Sequence, residues 1–304
     1  MVRTEAVNFY SDGTLMAGDL FLPDGAGPGE NDGTGERATG VVVCHGFGGI
    51  KEFFVGDIAR TLAELGHVAM TFDYRGFGES EGRRHRLDPH DQVQDTLAAV
   101  EFLLTRPEVR GPRAGVYGTS FGGGVAVAAG CATDRIGAAV CGVGIADHRR
   151  WLRSLRRQWE WLEFEKRLAA DRRNRVLTGE SEVVEPEEIM VRDPHSMEHE
   201  AQIRAKYPNR AFTLTLADAD HIMAFTPVDH VRGDLVPPLM FIGVAGDALT
   251  AYEETVDFHR RSPEPKELLT LRGITHHEMY QPQHLYGVLE SVSGFLGRYL
   301  PGAP

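Results

Sequence analysis

Three short stretches of this chain carry residue types that could do chemistry together: Gly118-Thr119-Ser120-Phe121-Gly122, Gly246-Asp247 and Thr275-His276-His277. A serine hydroxyl is a weak nucleophile at neutral pH. It needs a base to take its proton and a carboxylate to orient that base. The order serine, acid, histidine supplies these roles and points to acyl transfer through a covalent acyl-enzyme. Ser120 is the expected nucleophile and Asp247 the orienting acid. Glu253 and Glu254 stand close to Asp247, but they open a helix whose dipole accounts for them. For the base, spacing leaves His276 and His277 open. An anion hole is also required, because negative charge gathers on the substrate oxygen as the serine adds. The backbone amide of Phe121 should give one donor. Phe47, in the loop Cys44-His45-Gly46-Phe47-Gly48-Gly49, should give the other, with His45 bracing that loop.

These residues need a scaffold that brings strand ends together. From Gly40 onward, buried strand runs alternate with amphipathic helices, the pattern of a mostly parallel sheet covered on both faces. Strands are expected at 41–44, 68–73, 114–117, 138–142, 239–244 and 268–271. Helices are expected at 53–65, 92–104, 121–129, 253–261 and 285–299. The serine then falls on a sharp turn from strand to helix, where neighbouring side chains would collide and glycine is required. Asp247 and His276 follow later strands, at the sheet end where open α/β folds place their sites. Ahead of all this, residues 6–10 and 15–22 flank Ser11-Asp12-Gly13 and read as a hairpin at one sheet edge. Residues 23–40 are rich in turn formers and read as a surface loop.

Residues 148–236 break the alternation and read as a helical cap inserted into a core made of residues 1–147 and 237–304. Leu152, Leu155, Trp159 and Leu162 form a helical apolar stripe, and Trp151, Trp159 and Trp161 are candidates to line an apolar acyl pocket. Between 148 and 175 there are ten Lys or Arg against four Asp or Glu, whereas 180–200 holds eight acidic groups and one arginine. The basic half could attract a carboxylate or a phosphate-bearing thioester carrier, but the stronger expectation is that the two halves pair with each other. His195 and His199 share a helix face, yet no third ligand accompanies them, so no metal is expected; nor does the chemistry require a cofactor.

Composition narrows the alternatives. The 304 residues are 42% hydrophobic and carry a formal charge of −12, enough for a sizeable core and repulsive toward nucleic acid and anionic membranes. Three cysteines without metal-site spacing fit a reducing cytoplasm. A small-molecule acyl substrate is the expected partner, with neither nucleic acid nor membrane; a homo-oligomer is compatible with the sequence.

Five motifs together, HGFGG at 45–49, DYRGFGESEG at 73–82, GTSFGG at 118–123, GD at 246–247 and THHEMY at 275–280, resemble the α/β-hydrolase superfamily in its serine-hydrolase branch. The resemblance implies the α/β-hydrolase fold and favours His276 as the base, since similar bacterial hydrolases use the histidine directly after a threonine. It extends to dienelactone-hydrolase-like proteins and polyketide-tailoring acyl transferases. Serine at position 120 departs from the cysteine of dienelactone hydrolases and from the aspartate of epoxide hydrolases and haloalkane dehalogenases. The expected activity is cleavage of an ester, thioester, lactone or related acyl bond. Acyl transfer or carbon–carbon hydrolysis with the same triad is the alternative, and a non-catalytic receptor the remote one.

Overall fold

The computed structural model describes residues 1–27, 37–84, 86–207 and 212–300. Much of the 23–40 stretch therefore lies outside the described residues. Strands β1 (Arg3–Ser11) and β2 (Thr14–Leu22) form the expected antiparallel hairpin, turning through Asp12 and Gly13 at positive φ. β2 joins antiparallel to β4 (Val68–Phe72). The strands β3 (Gly40–Cys44), β5 (Ala114–Thr119), β6 (Ile136–Gly142), β9 (Leu239–Val244) and β10 (Lys266–Leu271) continue the sheet in parallel, in the order β1-β2-β4-β3-β5-β6-β9-β10. β3 to β6 and β9 are buried along their whole length, which is why they read as unbroken apolar runs rather than as alternation.

Helices cover both faces. α1 (Val55–Glu64) and α11 (Pro282–Tyr299) pack Ile58, Leu62, Leu289 and Phe295 against one side. α2 (Pro89–Leu104), α3 (Phe121–Gly130) and α10 (Tyr252–Arg261) belong to the other, with Val93, Val100, Val125 and Phe258 in its core. α2 starts as its residues dictate: the Asp88 side chain accepts from the His90 amide, and Pro89 occupies the first turn, where no N–H is needed. Burying these side chains contributes roughly 1.5–3 kcal/mol each against exposure, and that total holds the strand ends in register.

Between β6 and β9 run α4 (His148–Ser154), α5 (Gln158–Thr178), α6 (Pro186–Ile189), α7 (Pro194–Lys206), α8 (Leu216–Ala224) and α9 (Pro227–His230). Two departures from expectation occur here. A two-stranded ladder, β7 (Val183–Val184) with β8 (Leu214–Thr215), interrupts the helices. The apolar stripe expected from Leu152 to Leu162 is also broken, because the chain leaves the helix at Leu155 and starts a new one at Gln158. Arg156 sits in that break, its guanidinium donating to the carbonyls of Leu152, Glu188 and Ile189. The restarted helix buries Trp161, Phe164 and Leu168 instead, leaving Trp159 at 61% and Leu162 at 46% exposure. The basic and acidic halves do pair: Arg167 meets Glu182 and Glu188, while Arg172 and Arg175 also reach Asp220 farther along.

Candidate active site

Ser120 stands between the last residue of β5 and the first of α3 with φ 54° and ψ −125°, a region that non-glycine residues rarely occupy. The surroundings enforce it. A Cβ at position 118 would lie 2.0 Å from the Gly122 carbonyl oxygen, and one at 122 would lie 2.4 Å from that of His45. Glycine at both positions lets β5, the helix start and the His45 loop converge, and the Ser120 amide is tied to the Gly142 carbonyl of β6 at 2.7 Å. The hydroxyl is thus held at the N-terminus of α3, where free amides favour negative charge.

Asp247 and His276 come together after β9 and β10. His276 Nδ1 lies 2.7 Å from Asp247 Oδ2, and both residues are buried. The other oxygen of Asp247 accepts the amides of Leu249 and Thr250 at 2.8 and 2.9 Å, and the Thr250 hydroxyl donates to Oδ2 at 3.0 Å. Burial pushes the Asp247 carboxyl upward, but the neighbouring His276 and these hydrogen bonds outweigh it and hold the group below its ordinary value. It therefore stays ionised and can stabilise a protonated imidazole. Ser120 and His276 line one cavity with about 530 Å³ of non-atom space, its open mouth included.

The adjacent His277 also lines this cavity, but its ring is engaged by α7 rather than by Asp247. His277 Nε2 lies 3.2 Å from the Ser196 hydroxyl of α7, and its ring stacks on His199 with centroids 4.2 Å apart. Burial, then the proximity of His276, His199 and Arg192, lowers its pKa to about 2. Glu254, expected only to complement its helix dipole, is buried and accepts the amides of Ala146 and Asp147 while pairing with Arg150. Its carboxylate fastens the exit of β6, a long-range job that local spacing gives no sign of.

Phe47 also lines the cavity, and its ring meets that of Phe121 edge-on at 5.8 Å. His45 is buried behind them, its Nδ1 2.9 Å from the Gly46 carbonyl oxygen and its ring against Tyr74. None of the three tryptophans is part of the cavity wall. Trp151 is buried one layer behind it, donating its indole N–H to the carbonyl of Leu249, which does line the wall. Trp161 is covered by Arg149 and Arg153, and Trp159 faces outward. The apolar wall is built instead from Phe53, Phe54, Met190, Leu249 and Tyr280, joined by Arg192, His199 and Glu200 from the segment between β6 and β9. Tyr280 is fixed by a 2.5 Å hydroxyl contact with Thr119 and stacks on Phe54 at 4.4 Å.

A mostly parallel eight-stranded sheet, with a serine on a strained strand-to-helix turn and an aspartate–histidine couple at neighbouring strand ends, defines an α/β hydrolase. The chain belongs to the family described as serine aminopeptidase, S33, which matches residues 35–283. It is similar to the polyketide transferase claH of Penicillium crustosum, with 27% identity over 99% of both chains. It is also similar to the thiohydrolase aneE of Aspergillus aculeatus, with 25% identity over 96% of this chain and 92% of that one. The structure of DcsB in complex with its substrate analogue shares the fold at a TM-score of 0.82 and 20% identity, covering 98% of this chain and all of that one. The chain is therefore an enzyme of the α/β-hydrolase class. Among the described residues, no helix is long and apolar enough to cross a membrane.

Proposed function

We propose that the protein is a serine hydrolase cleaving a carboxylic ester, thioester or lactone, with Ser120 as nucleophile, His276 as base and Asp247 as its orienting acid. The observation that carries this reading is the 2.7 Å coupling of Asp247 to His276 Nδ1, with that ring and the Ser120 residue in the wall of one cavity. Asp247 holds the Nδ1–H tautomer, which leaves Nε2 free to accept a proton.

Ser120 Oγ adds to the substrate carbonyl carbon while its proton passes to His276. The carbonyl electron pair moves to oxygen, and the amides of Phe47 and Phe121 stabilise the resulting oxyanion. The pair returns, the bond to the alcohol or thiol breaks, and His276 gives the leaving group its proton. Water then repeats the sequence on the acyl-enzyme, returning the acid and free Ser120. The residues between β6 and β9 act as a cap that closes the acyl cavity through Met190, Arg192, His199 and Glu200.

Acyl transfer is the second reading. It is favoured by the likeness to a polyketide transferase along the whole chain and by the apolar wall, which would disfavour water against an organic acceptor. The test is to incubate the purified protein with nitrophenyl esters and acyl thioesters of increasing length, with and without an added alcohol or amine. Acid release that falls at least ~10³-fold in Ser120→Ala supports hydrolysis. An acylated acceptor as the main product supports transfer, and equal turnover by the variant refutes both.

A further inference from the structure

Beside the hydroxyls of Thr119, Ser120 and Tyr280 and the imidazoles of His199, His276 and His277, the cavity wall carries one acid–base pair, Arg192 and Glu200, from the segment between β6 and β9. Arg192 lies in the link between α6 and α7 with 5% of its side chain exposed, 3.3 Å from Glu200 and 3.6 Å from Glu187. Glu200 also pairs with Arg204 at 3.1 Å, and Arg204 returns to Glu187 at 2.6 Å. Two guanidinium groups and two carboxylates therefore close a neutral ring, one edge of which forms the wall of the cavity.

The Arg192–Glu200 edge of that ring is costly to bury, whereas Arg204 and Glu187 keep 41% and 31% of their side chains exposed. Taking the charges out of water is offset only by good geometry, and well-packed apolar side chains of similar volume are often as stable. An apolar replacement would also suit a plain alkyl chain better. What the pair adds is chemistry: a guanidinium donor beside a carboxylate acceptor, within reach of whatever fills the cavity. A hydroxyl can accept from the first and donate to the second. A carboxylate fits worse, because the Arg192 charge is already balanced and Glu200 stands in the same wall.

We propose that Arg192 and Glu200 determine specificity by recognising a neutral hydroxyl on the acyl chain, remote from the scissile carbonyl, so that the substrates are hydroxyacyl esters or thioesters. This rests on the hydrolase reading above and names its substrate class. Sites built to bond a hydroxyl discriminate strongly against analogues that lack it, since the site's own polar groups then lose their partner.

The test uses nitrophenyl esters of one chain length in three kinds: unsubstituted, hydroxylated at successive carbons, and ending in a carboxylate. In the wild-type protein at least one hydroxylated isomer should exceed the unsubstituted ester in kcat/KM by ~10-fold or more, and the carboxylate should not. In Arg192→Met/Glu200→Met that ratio should collapse to within about two-fold of unity, because both bonding partners are gone. Glu200→Gln, which keeps shape and removes charge, should lower the ratio and serves if the double variant does not fold. Wild-type turnover without discrimination, a preference for the carboxylate, or a hydroxyl preference that survives in the variants overturns the proposal and leaves the hydrolase reading intact. Cleavage of none of the esters sinks both.

Discussion

Lowering the pH from 7 to 5 should cost this protein folding stability, because the native state holds buried histidines uncharged. Burial lowers the pKa of His67 to about 4 and that of His148 to about 3, while burial, then the proximity of His276, His199 and Arg192, lowers that of His277 to about 2. An unfolded histidine titrates near 6.5. The stability linked to these groups is therefore complete above that value and is lost as the pH falls, because the unfolded chain binds protons that the native state refuses. At roughly 1.4 kcal/mol per proton per pH unit, each contributes about 2 kcal/mol over this window, and His199, His230 and His259, also lowered by burial, act in the same direction. Asp73 opposes them. Burial, against the hydrogen bonds it accepts from the Lys51 and Glu79 amides, raises its pKa to about 7. Its native carboxyl takes up a proton between 7 and 5 while the unfolded one does not, which restores roughly 2 kcal/mol. Carboxylates held low, such as Asp247, titrate below the window.

Each such contribution is a sizeable part of the 5–15 kcal/mol typical of a folded domain. His148→Phe isolates one component. The ring stacks on Phe121 at 4.5 Å and faces Phe225 at 5.2 Å, and neither ring nitrogen has a hydrogen-bond partner among the described residues. A phenyl ring fits those neighbours and cannot titrate. Urea denaturation at pH 7 and pH 5 should show the variant losing about 2 kcal/mol less than wild type across the interval. An identical pH dependence in the two proteins, or a wild type more stable at pH 5 than at 7, would refute the reasoning.

Other outcomes follow from the same geometry. His276→Ala should lower kcat/KM for ester cleavage at least ~10³-fold, whereas His277→Ala, whose ring bonds Ser196 rather than Asp247, should lower it less than ~10-fold; steady-state kinetics on one substrate decides. Asp247→Asn should leave the fold intact by circular dichroism yet reduce kcat by ~10³–10⁴, because an amide does not hold the required imidazole tautomer. Gly118→Ala, which sets a methyl 2.0 Å from the Gly122 carbonyl oxygen and 2.7 Å from the Ala126 Cβ, should lose more than ~3 kcal/mol in denaturation or fail to accumulate folded.

Much of this arrangement is legible in the chain, for physical reasons. The central parallel strands announce themselves because burial on both faces leaves almost only apolar residues, and the glycines around Ser120 because nothing larger fits the turn. The approach of Asp247 to His276 follows from successive strand ends, and spacing alone reaches no further. His276 and His277 differ by one position, so only the path of the loop after β10 turns one ring toward Asp247 and the other toward α7. Glu254 takes its role from amides more than a hundred residues away. The cavity wall is the least legible part. Trp151, Trp159 and Trp161 share a segment whose helix breaks at Arg156, and the carbonyls that hold Arg156 there include two from α6 and its end. Arg192, His199 and Glu200 sit in an acidic stretch that by composition should only answer the basic one; their place in the wall is set by how α7 packs.

The proposed chemistry depends on Ser120 being the group that becomes acylated. Treatment with a fluorophosphonate followed by peptide mass mapping addresses this directly. A single adduct on the peptide containing Ser120, abolished in Ser120→Ala and strongly slowed in His276→Ala, is the predicted result. An adduct on another residue, or a protein that cleaves esters while remaining unlabelled, would contradict it.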